Sequence, residues 1–298
     1  MNLINNIVEN KKLTAKQADK VTLEIKEPSV ISAQYLKELK KLSKSLKNDI
    51  RNILLPAIKE TPTIGSNDSV FQIMSAMALL QSKYSNILAF SLPVANSVVK
   101  SVEAYNKNAF TKKSESQLGV NLESVLNQNN LGEIINLQTQ KQVGLIRSIP
   151  EEFLKNIEVI VTNGVSEGLS YKEIERQIKG IKNISSVFGK LDSRIKTIAR
   201  SEIGTINGTM NKQRQQSAGI SIYKWSTSGD EKVRTSHKVL DNKYCSWNDA
   251  TVYADTKADA LAGKWKKRSS IGGVEKHPAL DYNCRCTSIA VIPDFDEE

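Results

Sequence analysis

Between Ser32 and Leu55 apolar residues recur at Leu36, Leu39, Leu42, Leu46, Ile50, Ile53 and Leu54, a spacing of three and four that predicts one long amphipathic helix. Pro56 is expected to kink or end it, because proline lacks an amide proton and its ring meets the carbonyl four residues back. A second stripe, Met74, Met77, Leu80 and Tyr84, belongs to the most apolar stretch of the chain, Val70 to Val99. Gln72, Gln81, Lys83, Asn86, Pro93 and Asn96 interrupt that stretch, which predicts a buried helix pair and no membrane partner. A polar interval from Asn106 to Asn121 then breaks the pattern. It is read as the boundary between a helical N-terminal region, 1–121, and a second domain, 122–298.

Further on, Pro150-Glu151-Glu152 has the composition of a helix first turn, where proline is tolerated and acids meet the positive end of the dipole. Ser170 and Glu173 form a capping box before a short helix, Tyr171 to Lys179, that Gly180 closes. From Leu191 to Ala218, Ile195, Ile198, Ala199, Ile203 and Ile206 supply an apolar helix face. Arg194, Arg200, Glu202, Asn207, Asn211 and Arg214 decorate the rest. After Gly219 the period becomes that of a strand, with Ile220, Ile222 and Trp225 interleaved with Ser221, Tyr223 and Lys224, and Gly229-Asp230 supplies a turn. The predicted fold class is therefore α+β: a mostly helical N-terminal region followed by a small α+β C-terminal module with long loops. Such a module has little core of its own, so a structural metal would add stability.

Composition narrows the partners. Apolar content of 39% and charged content of 25% exclude a wholly disordered chain. Residues 1–150 hold 19 basic and 12 acidic residues (+7), and residues 151–298 hold 23 and 20 (+3), so most of the +10 excess lies in the first half. Lys37, Lys40, Lys41, Lys44 and Lys47 form a basic run on the first predicted helix. No aromatic platform accompanies it, so the plain reading is a solvated face; the functional one is nonspecific contact of Lys37, Lys40, Lys44 and Lys47 with nucleic-acid phosphates. Met1 to Glu9 lacks the basic start and uniform apolar run of a secretory signal.

Three cysteines and two histidines, all between positions 237 and 286, are the chain's soft or borderline metal ligands. An odd cysteine count fits synthesis in a reducing cytoplasm. Cys284 and Cys286, one residue apart, chelate one ion more readily than they bridge each other. They look for partners in Cys245, His237 and His277, and this ligand mixture suits zinc. Each residue also has an ordinary reading: a hydrogen-bonded histidine, or a cysteine buried as a small hydrophobe. Arg200, Glu202, Asp230, Arg234 and Arg285 are read as a polar network that specifies the module's fold, with Arg285 pairing with Glu202 or Asp230.

The ordered set Ala199-Arg200-Ser201-Glu202, Asn207 or Asn211, Gly219, Trp225, Asp230, Arg234, His237, His277-Pro278 and Asn283-Cys284-Arg285-Cys286 resembles the Mu-F-type minor head proteins of tailed bacteriophages. The likeness runs from about Gly132 to Val291. It implies a structural, non-enzymatic virion protein inside the capsid, assembled in the host cytoplasm. Its implied partners are the portal protein, capsid or scaffold proteins and packaged DNA, with a role in head assembly or genome delivery. Relatives carry paired cysteines where Arg234 and His237 stand here, so this chain departs from a four-cysteine zinc site. His237 replaces one ligand directly, and Cys245 or His277 is left to supply another.

Two other classes compete. His237, Asn242 or Asn248, and His277 follow the order of a His-Asn-His metal nuclease, but the spacing is loose and no acidic ligands stand out. Ser226-Thr227-Ser228 faintly resembles ADP-ribosyltransferases, with no Glu-x-Glu after it. A plain DNA-binding module remains, without a recognition helix or fingered spacing to read sequence.

Overall fold

The computed structural model describes residues 6, 7, 10, 15–59, 67–121, 131–180 and 186–293. A single turn, Ala15–Ala18, precedes seven longer helical elements. These are α1 (Ser29–Asp49), α2 (Leu55–Lys59), α3 (Asn67–Ser85), α4 (Leu88–Leu118), α5 (Gly132–Ser166), α6 (Tyr171–Lys179) and α7 (Val187–Ser217). The strands are β1 (Ile222–Ser226), β2 (Tyr244–Ser246), β3 (Val252–Ala254), β4 (Lys266–Lys267) and β5 (Thr287–Ala290), with short helices α8 (Thr235–Lys238) and α9 (Lys257–Leu261) among them. The α+β reading is borne out. The chain folds as two compact units assembled from separate segments: Met1–Ser29, Val99–Asn136 and Ser201–Glu298 form one, Val30–Val98 and Leu137–Arg200 the other. The expected domain boundary at 121/122 abuts residues 122–130, outside the described ones.

The second unit is helical. α1 buries Tyr35, Leu39, Leu42 and Leu46, so the expected stripe is its core face. Pro56 does not end the helical path. Ile50–Leu54 widens to a π turn, with the Leu55 amide bonded to the Ile50 carbonyl, and α2 continues through the proline. Among the described residues of α3, Ile73, Ala76, Met77, Leu80 and Tyr84 are buried; Met74 is exposed. The expected face was one residue out of register at its start. Pro150 lies inside α5 instead of starting a helix. Burial of Ile146, Ile149, Phe153, Ile157 and Val161 on one face offsets the roughly 3 kcal/mol that an interior proline costs. Half of the capping box forms: Ser170 accepts from the Glu173 amide while the Glu173 carboxylate takes Arg176, and Gly180 takes a positive φ of 67°.

In the first unit, the polar interval from Asn106 does not interrupt α4, which runs on to Leu118. Phe110 and Leu118 pack with Val21, Leu23, Ile25, Ile220 and Ile292. The five strands form one antiparallel sheet in the order β4-β3-β2-β1-β5. Tyr223, Trp225, Leu240, Cys245, Trp247, Tyr253, Cys284 and Cys286 make its second core. Three of the polar residues expected to decorate α7, Asn207, Asn211 and Arg214, are not on its surface. Asn207, Asn211, Arg214 and Gln215 are all buried. Arg214 donates to Asn106 at 2.6 Å and Glu103 at 2.5 Å, and Asn211 and Gln215 both reach the Ser288 hydroxyl. No single described helix is long and apolar enough to cross a membrane; α3 and α4 pass that test only as a pair bent by 41°.

Candidate metal centre

The loop that carries the two C-terminal cysteines lies against α7 along a row of small residues. Ser201 accepts from the Asn283 amide at 3.1 Å, and Thr205 donates to the Ala279 carbonyl at 3.2 Å. A Cβ on Gly208 would lie 2.7 Å from the Ala279 Cβ, and one on Gly204 would lie 3.5 Å from the Cys284 carbonyl. The spacing 201, 204/205, 208 is one helix face. It lets the loop approach closely, with Ala279 (φ 66°) and Asn283 (φ 53°) in the left-handed region.

Opposite this loop, α8 presents His237. Its Nδ1 lies 3.4 Å from the Cys284 sulfur and 3.5 Å from the Cys286 sulfur, and all three side chains are buried. Zinc bonds of about 2.3 Å to sulfur and 2.0–2.1 Å to nitrogen, at a tetrahedral angle, place sulfur and nitrogen about 3.5 Å apart. Both nitrogen–sulfur distances match that spacing and equally the reach of an S–H···N hydrogen bond, and the three ligand atoms lie within 4.8 Å of one another, close enough to hold one ion. On the far side of the ring, Nε2 lies 3.2 Å from Asp281 Oδ2. With the carboxylate accepting from Nε2–H, Nδ1 keeps its lone pair toward the sulfurs, the carboxylate–histidine arrangement that orients metal-bound imidazoles.

The electrostatics favour a thiolate. Cys284 is pulled well down by the Cys286 thiol that donates to it and by His237, against burial. The amides of Ala279 and Cys286 also point at its sulfur, each at 3.4 Å. Cys286 is pushed up by its charged neighbour and by burial, so the pair holds one proton between them when no ion is bound. His237 is raised by Cys284 and Asp281 against burial. Asp281 pays for burial but is held at about 2 by Lys276, the Tyr282 amide and His237. Arg234 joins it at 2.5 Å and also bonds the Tyr282 carbonyl.

The structure thus unites three of the five expected ligands. Cys245 and His277 lie outside the cluster. Cys245 sits in the aromatic core, where burial pushes its thiol up to about 11. His277 has its Nδ1 3.1 Å from the Tyr223 hydroxyl and its ring against Trp247, and burial lowers it to about 4. The two histidines serve separate neighbourhoods, so the His-Asn-His order does not assemble one site. Asn242 bonds Asp241 and Asn248 accepts from Gln216.

Of the expected polar network, Arg285 pairs with Asp230 at 2.5 Å and Arg234 with Asp281, both near the surface. Arg200 is exposed and Glu202 half-buried on α7. The buried network lies elsewhere. Arg268, fully buried, donates to the carbonyls of Val252, Val274 and Lys276 and to the Tyr223 hydroxyl, with its guanidinium over Trp225. Of the expected DNA contacts, Lys37, Lys40 and Lys44 are exposed, whereas Lys47 is half-buried against Asp192 at 2.6 Å. Nothing in the sequence distinguished Asp281, three residues before Cys284, from other surface acids.

Residues 155–289 match the model of the family described as Phage Mu protein F like protein. Over that segment the C-terminal module is similar to the Mu-F-like phage proteins. That match encloses His237, Asp281, Cys284 and Cys286 and bears out the resemblance drawn from the motifs. The chain is also 27% identical over 268 residues to an uncharacterized protein of Haemophilus influenzae, covering 88% of this chain and 54% of that one. It is 28% identical over 152 residues to the NAD(+)--arginine ADP-ribosyltransferase EFV of Enterococcus faecalis, covering 50% of this chain and 28% of that protein. The chain thus spans about half of the first relative's length and less of the second's. No solved structure matches it.

Proposed function

We propose that this chain is a structural minor protein of a tailed-phage head, placed inside the capsid at the portal vertex. It acts there in head assembly or genome delivery, and its Mu-F-like module is closed by a zinc ion on His237, Cys284 and Cys286. The observation that carries the reading is the family match over residues 155–289, which encloses a His237 nitrogen 3.4 and 3.5 Å from the sulfurs of Cys284 and Cys286. When bound, the ion supplies a cross-link. His237 and Asp281 orient one arm, the amides of Ala279 and Cys286 hold the Cys284 sulfur charged, and the loop on α7 is tied to α8. Both arms belong to long connections that the sheet leaves unpaired, so the cross-link orders a surface on which portal, capsid or scaffold proteins dock during assembly in the host cytoplasm.

Quantitative mass spectrometry of purified proheads and virions tests this function. The chain is expected in few copies per particle, and Cys284→Ser/Cys286→Ser is expected to be incorporated poorly. Absence of the wild-type chain from both particle forms would remove the head-protein reading.

A further inference from the structure

We propose that a groove in the helical unit binds the phosphate backbone of nucleic acid. It is a cavity of about 410 Å³ between α1 with its π extension and the first half of α7. Lys40, Lys44, Lys47 and Arg51 line one wall, and Lys196 and Asp192 the other. Five cations face one acid in a single concavity. The steps 40, 44, 47 and 51 are four, three and four residues, one side of a helix, and at 1.5 Å per residue they extend over roughly 16 Å. Duplex DNA passes about five phosphates per strand over that length, at roughly 3.4 Å each.

The walls are held in place before any ligand arrives. The buried hydroxyl of Ser43 donates to Asp192 at 3.2 Å, and Asp192 holds the Lys47 ammonium at 2.6 Å. Lys47 and Arg51 both lie over the buried Phe188 ring, at 5.5 and 5.2 Å from its centroid, and Arg51 also bonds Asn48. Lys40, Lys44 and Lys196 remain exposed at the mouth. Cations held by Phe188 and Asp192 beside solvent-exposed lysines suit a polyanion that runs through the groove. The lining offers no base-reading amide, so the contact is sequence-independent. Lys37, on the same helix, does not line it. The inference stands apart from the metal centre and from the head-protein reading.

The test is fluorescence anisotropy of the full chain with mixed-sequence duplex DNA from about 50 to 200 mM salt. Lys40→Gln/Lys44→Gln/Lys196→Gln is expected to flatten the slope of log affinity against log salt by about 2–3, at about 0.9 per lost contact, and to weaken binding at least about thirtyfold. Lys37→Gln/Lys41→Gln/Lys155→Gln removes the same charge from exposed positions off the groove and should change the slope little. Asp192→Asn, which frees Lys47, should tighten binding a few-fold. Equal losses in the two triple variants, or no binding by the wild type, would overturn the proposal. So would a groove variant with the wild-type slope. Unchanged thermal unfolding of the triple variants, all at exposed lysines, confirms that each comparison is between folded chains.

Discussion

Gly208→Ala sets two physical effects against each other. On helix propensity alone, alanine inside α7 should stabilise the chain by about 1 kcal/mol. The new Cβ, however, would lie 2.7 Å from the Ala279 Cβ and 3.2 Å from the Pro278 carbonyl, where carbon contacts prefer about 3.5–4.0 Å. Neither neighbour is the end of a flexible side chain. Ala279 is already at φ 66°, and its carbonyl is tied to Thr205, so relief requires the whole loop to move by about 1 Å. Overpacking of this kind costs about 1–3 kcal/mol, and rigid partners place it in the upper part of that range. The net expectation is a loss of about 1–2 kcal/mol, or a fall in Tm of roughly 2–3 °C at this size. Gly144→Ala is the control: nothing lies within 4 Å of its Cβ, so propensity acts alone and stability should rise. Calorimetric and circular-dichroism melting of both variants decides the matter. A Gly208→Ala protein as stabilised as Gly144→Ala would refute the close docking of the cysteine loop on α7.

Two further outcomes follow from the buried polar groups. His277 sits at about 4 in the folded chain because burial disfavours its charge, below the ordinary 6.5, so the unfolded chain takes up the proton first. Its contribution to stability is intact above about pH 6.5 and lost as pH falls toward 4, by on the order of 1–2 kcal/mol at pH 5; His277→Gln should blunt that slope in urea titrations, and an identical slope would contradict it. Arg268→Met strips the donors from three carbonyls and the Tyr223 hydroxyl and should destabilise the chain by at least about 3 kcal/mol, a loss that chemical denaturation measures directly.

The elements with a local signature were legible in the sequence. The Leu39-Leu42-Leu46 stripe, the Ser170–Glu173 cap and the stop at Gly219 each reflect interactions within a few residues. Elements decided by distant packing were not. Pro150 and the polar run after Asn106 read as breaks, yet both lie inside long helices because the apolar faces around them are buried by other segments. Asn207, Asn211 and Arg214 read as solvated because their partners, Asn106, Glu103 and Ser288, are far away in the chain. In the candidate site, ligand chemistry and clustering identified His237, Cys284 and Cys286. The choice against Cys245 and His277 depended on packing across the sheet: Cys245 pairs with Tyr223 on β1 and His277 bonds the Tyr223 hydroxyl, which places both outside the His237 cluster. Asp281 carries no local signal, since its role exists only once α8 and the cysteine loop meet.

The central claim is that His237, Cys284 and Cys286 close the Mu-F-like module around one zinc ion. Elemental analysis of the full chain, purified without chelator, should find about one zinc per chain, reduced to near zero in Cys284→Ser/Cys286→Ser and released by chelator with a lowered melting temperature. A wild-type protein with negligible zinc, whose melting curve neither chelator nor added zinc shifts, would contradict it.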